Sequence, residues 1–321
     1  MLIVTEETCR KVMTRPLAYE AVEAVFGAMA RGDAWNFPVV REAIGHADAL
    51  YGFKSGFDRA SLVLGVKAGG YWPHNAGKGL TNHQSTVFLF DPDTGQLSAL
   101  VGGNHLTALR TAAASAISIN HLARKDAKVL GMVGAGHQSQ FQLRAAAEQR
   151  GFERVVAWNY HPDMLPNLAR VAEELDLPFE AVSREELGAQ ADVIITITSA
   201  HEPLLMKDWI RPGTHIACMG TDTKGKQELD PEILAAATVF TDEVAQSITI
   251  GEAQHAVANG LIAKDHITPI GAVINGVHPG RTSPAEITLF DGTGVGLQDL
   301  AVASAAARDA GEKGIAEEIM L

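Results

Sequence analysis

Two cysteines among 321 residues are too few for a disulfide framework or a cysteine-rich zinc site, and Cys9 and Cys218 read as buried thiols. No uninterrupted apolar run approaches the ~20 residues that a membrane span needs. The opening MLIVTEETCRKVMTR lacks the apolar region and cleavage site of a secretory signal, so a cytoplasmic location is expected. Positive charge is scarce: the formal net charge is −12 and no basic stripe exists, which argues against a nucleic-acid partner. Any anionic ligand must therefore be met by a few local cations and not by the overall field. Histidine is plentiful, at twelve, but His201-Glu202 has no second histidine at helical spacing. His74, His83 and His105 keep no regular ligand interval either, so no metal is expected. Internal repeats, low-complexity tracts and long linkers are absent as well.

What is present is a composition of 46% hydrophobic and 20% charged residues, that of a globular enzyme, in a length that suits two domains. Residues 127–139, AKVLGMVGAGHQS, order the rest. Val129, Leu130, Met132 and Val133 form a buried parallel strand, followed by Gly134-Ala135-Gly136-His137-Gln138-Ser139 at the spacing G-x-G-x-x-S. In a dinucleotide fold Gly134 allows the tight turn, Gly136 the close approach of a pyrophosphate, and the opening amides of the next helix hold the anion. The helix FQLRAAAEQR (141–150) and the strand ERVVAWN (153–159) supply the expected context. The bland alternative is an ordinary glycine-rich turn.

Before this stretch the pattern is α+β. LIVT reads as a strand and PLAYEAVEAVFGAMARG as an amphipathic helix with Ala21, Val22, Val25, Phe26 and Met29 on its apolar face. FPVVREAI, ALYGFKSGF, SLVLGVKAGG, STVFLFD and QLSALVG read as strands of an antiparallel sheet, the last two joined by the turn Asp91-Pro92-Asp93-Thr94-Gly95. An alanine-rich helix, 106–123, is expected to link the two domains. Beyond it LPFEAV, REELGAQ, ADVIITIT, THIACMG and ATVFTD alternate strand and helix in the parallel, doubly wound manner. Residues 286–311 read as a strand, a glycine-rich turn and a long helix, either a last layer of the nucleotide domain or, the favoured reading, a return to the first domain in which the helix packs on 106–123.

Several residues carry chemistry. Asn159-Tyr160-His161 ends the second strand, where an acid binds the ribose 2′-OH or an arginine the 2′-phosphate. Asn159 can bond a ribose hydroxyl and no fixed cation follows, which favours NAD over NADP; alternatively Asn159 caps the following turn. Arg41, Lys67 and Arg110 sit in apolar surroundings without an evident acidic partner. Each alone is an ordinary salt-bridged or snorkelling residue; together they are candidates for a substrate carboxylate. Asp222, beyond the strand THIAC, lies where parallel sheets gather ligands and can shuttle a proton, or else caps a turn.

Lys67 in its G-x-K setting, LTALRTAAASA around Arg110, VGAGHQS, MGTD, KGKQELDP, DEVAQS and LFDGTGVGLQDLA together resemble the ornithine cyclodeaminase/mu-crystallin family over nearly the whole chain. The resemblance implies an α/β fold in which a Rossmann doubly wound domain, 122–285, is inserted into an α+β substrate-binding and dimerisation domain, 1–121 and 286–321, of a homodimer. It implies that Arg41, Lys67 and Arg110 bind the substrate α-carboxylate, Lys67 being catalytic too, that Asp222 is the acid/base and that Lys226 lines the same cleft. The cofactor contacts it implies are Arg110, Thr111, Gly134, Ala135, Gly136, His137, Gln138, Ser139, Asn159, Thr196, Thr198, Met219, Gly220, Asp222 and Thr293.

NFPVVREAIGHADALYGFKSGF, NHQSTVFLFDPDTG and GTDTKGKQELDP are similar to the branch of the family that forms aspartate in glyoxylate assimilation. The expected activity is thus reversible, NAD-dependent reduction of iminosuccinate to L-aspartate, NADP(H) being the less favoured cofactor. Alternatives are a cyclodeaminase-type lyase, another alanine-dehydrogenase-like enzyme, and a non-catalytic binding protein of the mu-crystallin kind. The ornithine-cyclising branch carries an acid downstream of the first arginine. Here that stretch is Leu50-Tyr51-Gly52-Phe53-Lys54, whose cation suits a dicarboxylate; His74 and Lys226 are further candidates for the distal group. Gly292 stands where the family commonly has serine.

Overall fold

The computed structural model describes residues 1–320. The chain divides into two compact units, Met1–Arg110 with the chain from Val295 onward, and Thr111–Gly294. Among the described residues no helix is long and apolar enough to cross a membrane.

The first unit is a sheet backed by helices. Its strands run, in spatial order, Glu317–Glu318, Leu2–Val4, Leu97–Gly102, His83–Phe90, Val63–Tyr71, Leu50–Asp58 and Ala34–Asn36, with Val40–Ala43 also pairing Leu50–Asp58. The expected turn joins two of them: Asp91 Oδ1 accepts the N–H groups of Asp93 and Thr94, and Gly95 takes φ 73°. Helix Arg15–Arg31 begins where the Thr14 side chain accepts from the Leu17 N–H and stops at Gly32 in the left-handed region. It buries Ala18, Val22, Val25 and Phe26, while Ala21 and Met29 stay half-exposed.

Helix Gly296–Glu312 packs on the strands Leu50–Asp58 and Val63–Tyr71, burying Leu297, Leu300, Val302 and Ala303. It meets the start of helix Asn104–Leu122 through polar groups: Arg110 Nε donates to Asp299 Oδ1 and Arg110 Nη1 to Gln298 Oε1. The contact expected from alanine content is thus carried at this end by charge.

The second unit is built on an eight-stranded parallel sheet. Its order is Phe179–Ala181, Arg154–Trp158, Val129–Val133, Val193–Thr196, His215–Cys218, Thr288–Asp291, Thr238–Thr241 and Ile267–Pro269. The first five follow the doubly wound order 3-2-1-4-5, so strand order reverses between Val129–Val133 and Val193–Thr196, where such sheets open a ligand crevice. The strand Thr288–Asp291, expected to accompany the last helix, instead lies between His215–Cys218 and Thr238–Thr241. It is buried throughout and needs a neighbour on each side, so the chain leaves this unit after it, at Gly294, and not at residue 286. The end of helix Asn104–Leu122 is capped by Arg150, whose guanidinium donates to the carbonyls of Ile119, Asn120 and Ala123.

Candidate functional site

In the first unit the expected cations converge on one face of the sheet. Lys54 and Lys67 are direct cross-strand partners, and Arg41 pairs Gly52, two residues from Lys54 and hence on the same face. Lys67 and Arg110 are buried, Lys54 is half-buried and Arg41 exposed. The acidic partner of Lys67 and Arg110 is Asp299, 1% exposed, in the first turn of the closing helix. Its Oδ1 accepts from Lys67 Nζ at 2.9 Å and Arg110 Nε at 3.0 Å, and Thr107 Oγ1 accepts from Lys67 at 3.1 Å. Asp299 Oδ2 is buried and has no hydrogen-bond partner.

These groups shift one another. Burial pulls Lys67 down to about 7, against the pull of Asp299 and with the push of Arg110 and Lys54. Burial works to raise the Asp299 carboxyl, but Arg110, Lys67 and Lys54 outweigh it and hold it below the usual carboxylate range. His83, paired in register with Tyr71 on the same face, is pulled down to about 3 by burial and by Lys67, so it presents a neutral imidazole. His74 is elsewhere, on an exposed loop with Asp48 at 3.2 Å. Asp299 and His83 are the residues that sequence reasoning missed as members of this group. The acid inside the apolar run GVGLQDLA was the available signal for the first.

In the second unit the turn after Val129–Val133 has the form its spacing implied. Gly134 adopts φ 111°, and a Cβ there would lie 2.6 Å from the Ile197 carbonyl oxygen. Gly136 has φ −74°, which any residue adopts, and its Cβ would meet nothing within 4 Å. The glycine at 136 is thus not demanded by the chain's own packing; it leaves open space beside the N-terminus of helix His137–Ala147, where an anion is stabilised. Gln138 Oε1, in that first turn, is buried without a partner. Ser139, in place of the third glycine, is fully buried and donates to the Gly136 carbonyl at 2.6 Å. These features fit a dinucleotide pyrophosphate. Asn159 accepts from the Ala135 N–H at 3.0 Å and donates to the His161 carbonyl at 2.8 Å, so its amide braces this turn.

Asp222 follows the strand His215–Cys218 and is paired: its Oδ1 accepts from Lys226 Nζ at 2.8 Å and Thr223 Oγ1 at 3.1 Å, while Lys226 also donates to the Gly220 carbonyl. Lys226 therefore serves Asp222 directly. Behind this loop lie buried acids. Glu228 accepts from Thr196 Oγ1, Thr198 N, Thr198 Oγ1 and Gly220 N at 2.6 to 3.1 Å. Glu252 accepts from Thr221 Oγ1, Glu228 N and Leu229 N. Asp242 accepts from the N–H and hydroxyl of Thr293. Thr196 and Thr293 are fully buried, with hydroxyls given to these acids. Any part they take in holding a cofactor comes through the backbone they position. Met219 Sδ would lie 2.6 Å from a Cβ at Gly292, so the thioether fills the space a serine there would claim. Arg110 and Thr111 are buried, on helix Asn104–Leu122.

A model of the ornithine cyclodeaminase/mu-crystallin family matches residues 2–313. The chain is 65% identical over 319 residues, 99% of each chain, to the iminosuccinate reductase of Paracoccus denitrificans strain Pd 1222. It superposes on the crystal structure of the iminosuccinate reductase of Paracoccus denitrificans in complex with NAD+ with TM-score 0.96 and 64% identity, covering 100% and 99% of the two chains. An archaeal alanine dehydrogenase, solved as a dimer with bound NAD, superposes with TM-score 0.93 at 33% identity, covering 100% and 99%.

The buried acids make stability depend on pH. Burial and the neighbouring Glu228 push Glu252 up to about 8. The folded chain then keeps a proton there that the unfolded chain gives up in the ordinary carboxylate range, so this group's contribution is fully present at low pH and lost as pH rises to about 8. Glu252→Gln still accepts from the Glu228 and Leu229 amides, can donate to Thr221, and does not ionise. Its melting temperature relative to the parent should climb from about pH 5 to about pH 8 and level off above. A difference constant across that range would mean the carboxylate is ionised throughout.

Proposed function

The chain belongs to the ornithine cyclodeaminase/mu-crystallin family, and on that basis we propose that it is an NAD-dependent imine reductase that converts iminosuccinate to L-aspartate, reversibly. The observation that carries the reading is Lys54 facing Lys67 across two strands, with Arg110 beside Lys67 on their one shared acid. Cations gathered on one face in this way suit a dianion and repel a diamine. The full-length likeness to an iminosuccinate reductase supports it. Lys67, Arg110 and Arg41 bind the α-carboxylate, and Lys54 takes the distal one. Lys67 is also catalytic, its ammonium polarising the substrate.

NAD(H) when bound supplies the hydride. Gly134, Ala135, Gly136, His137, Gln138 and Ser139 form its pyrophosphate turn, Asn159 lies at the ribose end, and Thr196, at a strand end, with Thr198, Met219, Gly220 and Thr293, in the loops beyond the strands, complete its surroundings. Asp222, aimed by Lys226, gives or takes the proton at the substrate nitrogen.

The unit with the cationic face serves dimerisation as well. The other face of its sheet turns Trp35, Val40, Tyr51 and Phe53 outward, Phe53 41% exposed, with Phe88 and Phe90 half-buried beside them. An apolar face of this kind is covered in a stable protein, and a second copy is the occupant we assign to it.

Three experiments test this. With NADH, oxaloacetate and ammonia, the protein should reduce iminosuccinate about 10²-fold or more above the imine of pyruvate in kcat/KM, because donors built for the second carboxylate stay unpaired with the smaller substrate. Lys54→Met should narrow that gap, and equal efficiency of the parent on both imines would return the reading to a general amino-acid dehydrogenase. Asp222→Asn should lower kcat by about 10²–10⁴-fold with NADH binding retained; near-normal turnover would reduce Asp222 to a loop residue. In light scattering the parent should be a dimer and Phe53→Glu a monomer, and an unaltered mass for the variant would place the interface elsewhere.

A further inference from the structure

Lys67 is surrounded almost wholly by positive or neutral groups. Lys54 faces it in register from one neighbouring strand, His83 lies farther along the other and feels its charge, and Arg110 and Thr107 come from helix Asn104–Leu122. Asp299, from helix Gly296–Glu312, is the carboxylate in this circle. The same turn holds Arg110 at two points: Nε donates to Asp299 at 3.0 Å and Nη1 to Gln298 at 3.0 Å, two consecutive residues of one buried helix turn. That leaves the Nη2 corner of the guanidinium to be presented to a ligand.

We infer that Asp299 is a positioning residue of the substrate site, acting through Lys67 and Arg110 to set both the direction in which these cations point and the charge they present. The inference rests on the proposed reading of the cluster as a carboxylate site. The helix makes Asp299 a rigid anchor, and as an acid in a first turn it is favoured by the helix dipole. Its unbonded Oδ2 means that the cations, and not a full set of hydrogen bonds, keep it ionised. The charges are therefore mutually dependent, and removing Asp299 takes from Lys67 the strongest of the interactions that favour its charged form. With Asp299 in place Lys67 sits at about 7, so the free enzyme's affinity for a carboxylate falls as pH rises through that value. Without Asp299 the fall begins at lower pH.

The test uses NADH-loaded protein, with succinate as the probe anion. Its Kd is followed by NADH fluorescence from about pH 5.5 to about pH 9, alongside kcat and KM for iminosuccinate. Asp299→Asn should raise KM and Kd about 10–100-fold near neutral pH, more than it changes kcat. It should also move the alkaline loss of affinity down by about one pH unit or more. Gln298→Glu adds a carboxylate on Arg110 and should move that loss upward, which decides the matter if Asp299→Asn does not fold. A weakening of Asp299→Asn that is uniform in pH, or an unmoved profile in Gln298→Glu, overturns the inference while leaving the substrate reading intact. Parent protein that neither binds succinate nor reduces iminosuccinate overturns the substrate reading, and the inference with it.

Discussion

The carboxylate of Asp299, shared by Lys67 and Arg110 at 2.9 and 3.0 Å, is the interaction on which the first unit depends. Two cations taken out of water beside each other are tolerable only with an anion between them, and deleting one partner of such a buried group costs about 3–5 kcal/mol. The anion arrives from the far end of the chain, in the first turn of helix Gly296–Glu312, which also covers the strands bearing Lys54 and Lys67. Electrostatics and packing thus make the same demand. The chain must return to its first unit after building the second, and neither the apolar face of the sheet nor its buried lysine is stable until it does.

The second unit buries charge differently. Glu228, Glu252 and Asp291 are fully or almost fully buried, and burial pushes all three carboxyls upward. What holds them is hydrogen bonding from threonine and serine hydroxyls and from backbone amides. Such donors are weaker partners than cations but are fixed in direction, because most belong to the ends of parallel strands and the loops beyond them. Glu228 ties the end of Val193–Thr196 to Gly220, and Glu252 ties Thr221 to the strand Gln227–Leu229. The loop that carries Asp222 is therefore held at two successive residues before Lys226 meets its side chain. Flexible surface residues could not place a carboxylate as narrowly.

How much of this was legible varies with the range of the interaction. The glycine turn at 134–136 was readable because its parts are contiguous: a buried strand, glycine where φ is 111°, glycine where space is kept, and a helix start. The burial of Cys9 and Cys218 was readable from their scarcity and surroundings. Lys67 and Arg110 were readable as misplaced cations, but their partner was not, since 232 residues separate Lys67 from Asp299 and no local pattern reports such a contact. Lys54 required the strand register, which only the pairing with Val63–Tyr71 supplies. Asn159 was ambiguous between ribose and turn because a carboxamide can serve both, and its bonds to Ala135 and His161 brace the turn. The strand Thr288–Asp291 misled because it adjoins the last helix in sequence, whereas its burial on both faces placed it inside the parallel sheet.

Charge also connects the first unit's design to selectivity. With a formal net charge of −12 the chain as a whole does not attract dianions, and beyond a Debye length of about 8 Å its field is screened in any case. Affinity for an anion must be generated at contact, where burial lowers the local dielectric and strengthens each charge. Lys54 directly opposite Lys67 repels it, because like charges in register disfavour each other, while Asp299 acts on Lys67 more strongly in the opposite sense. An anion placed between them removes that repulsion as well as adding its own attraction.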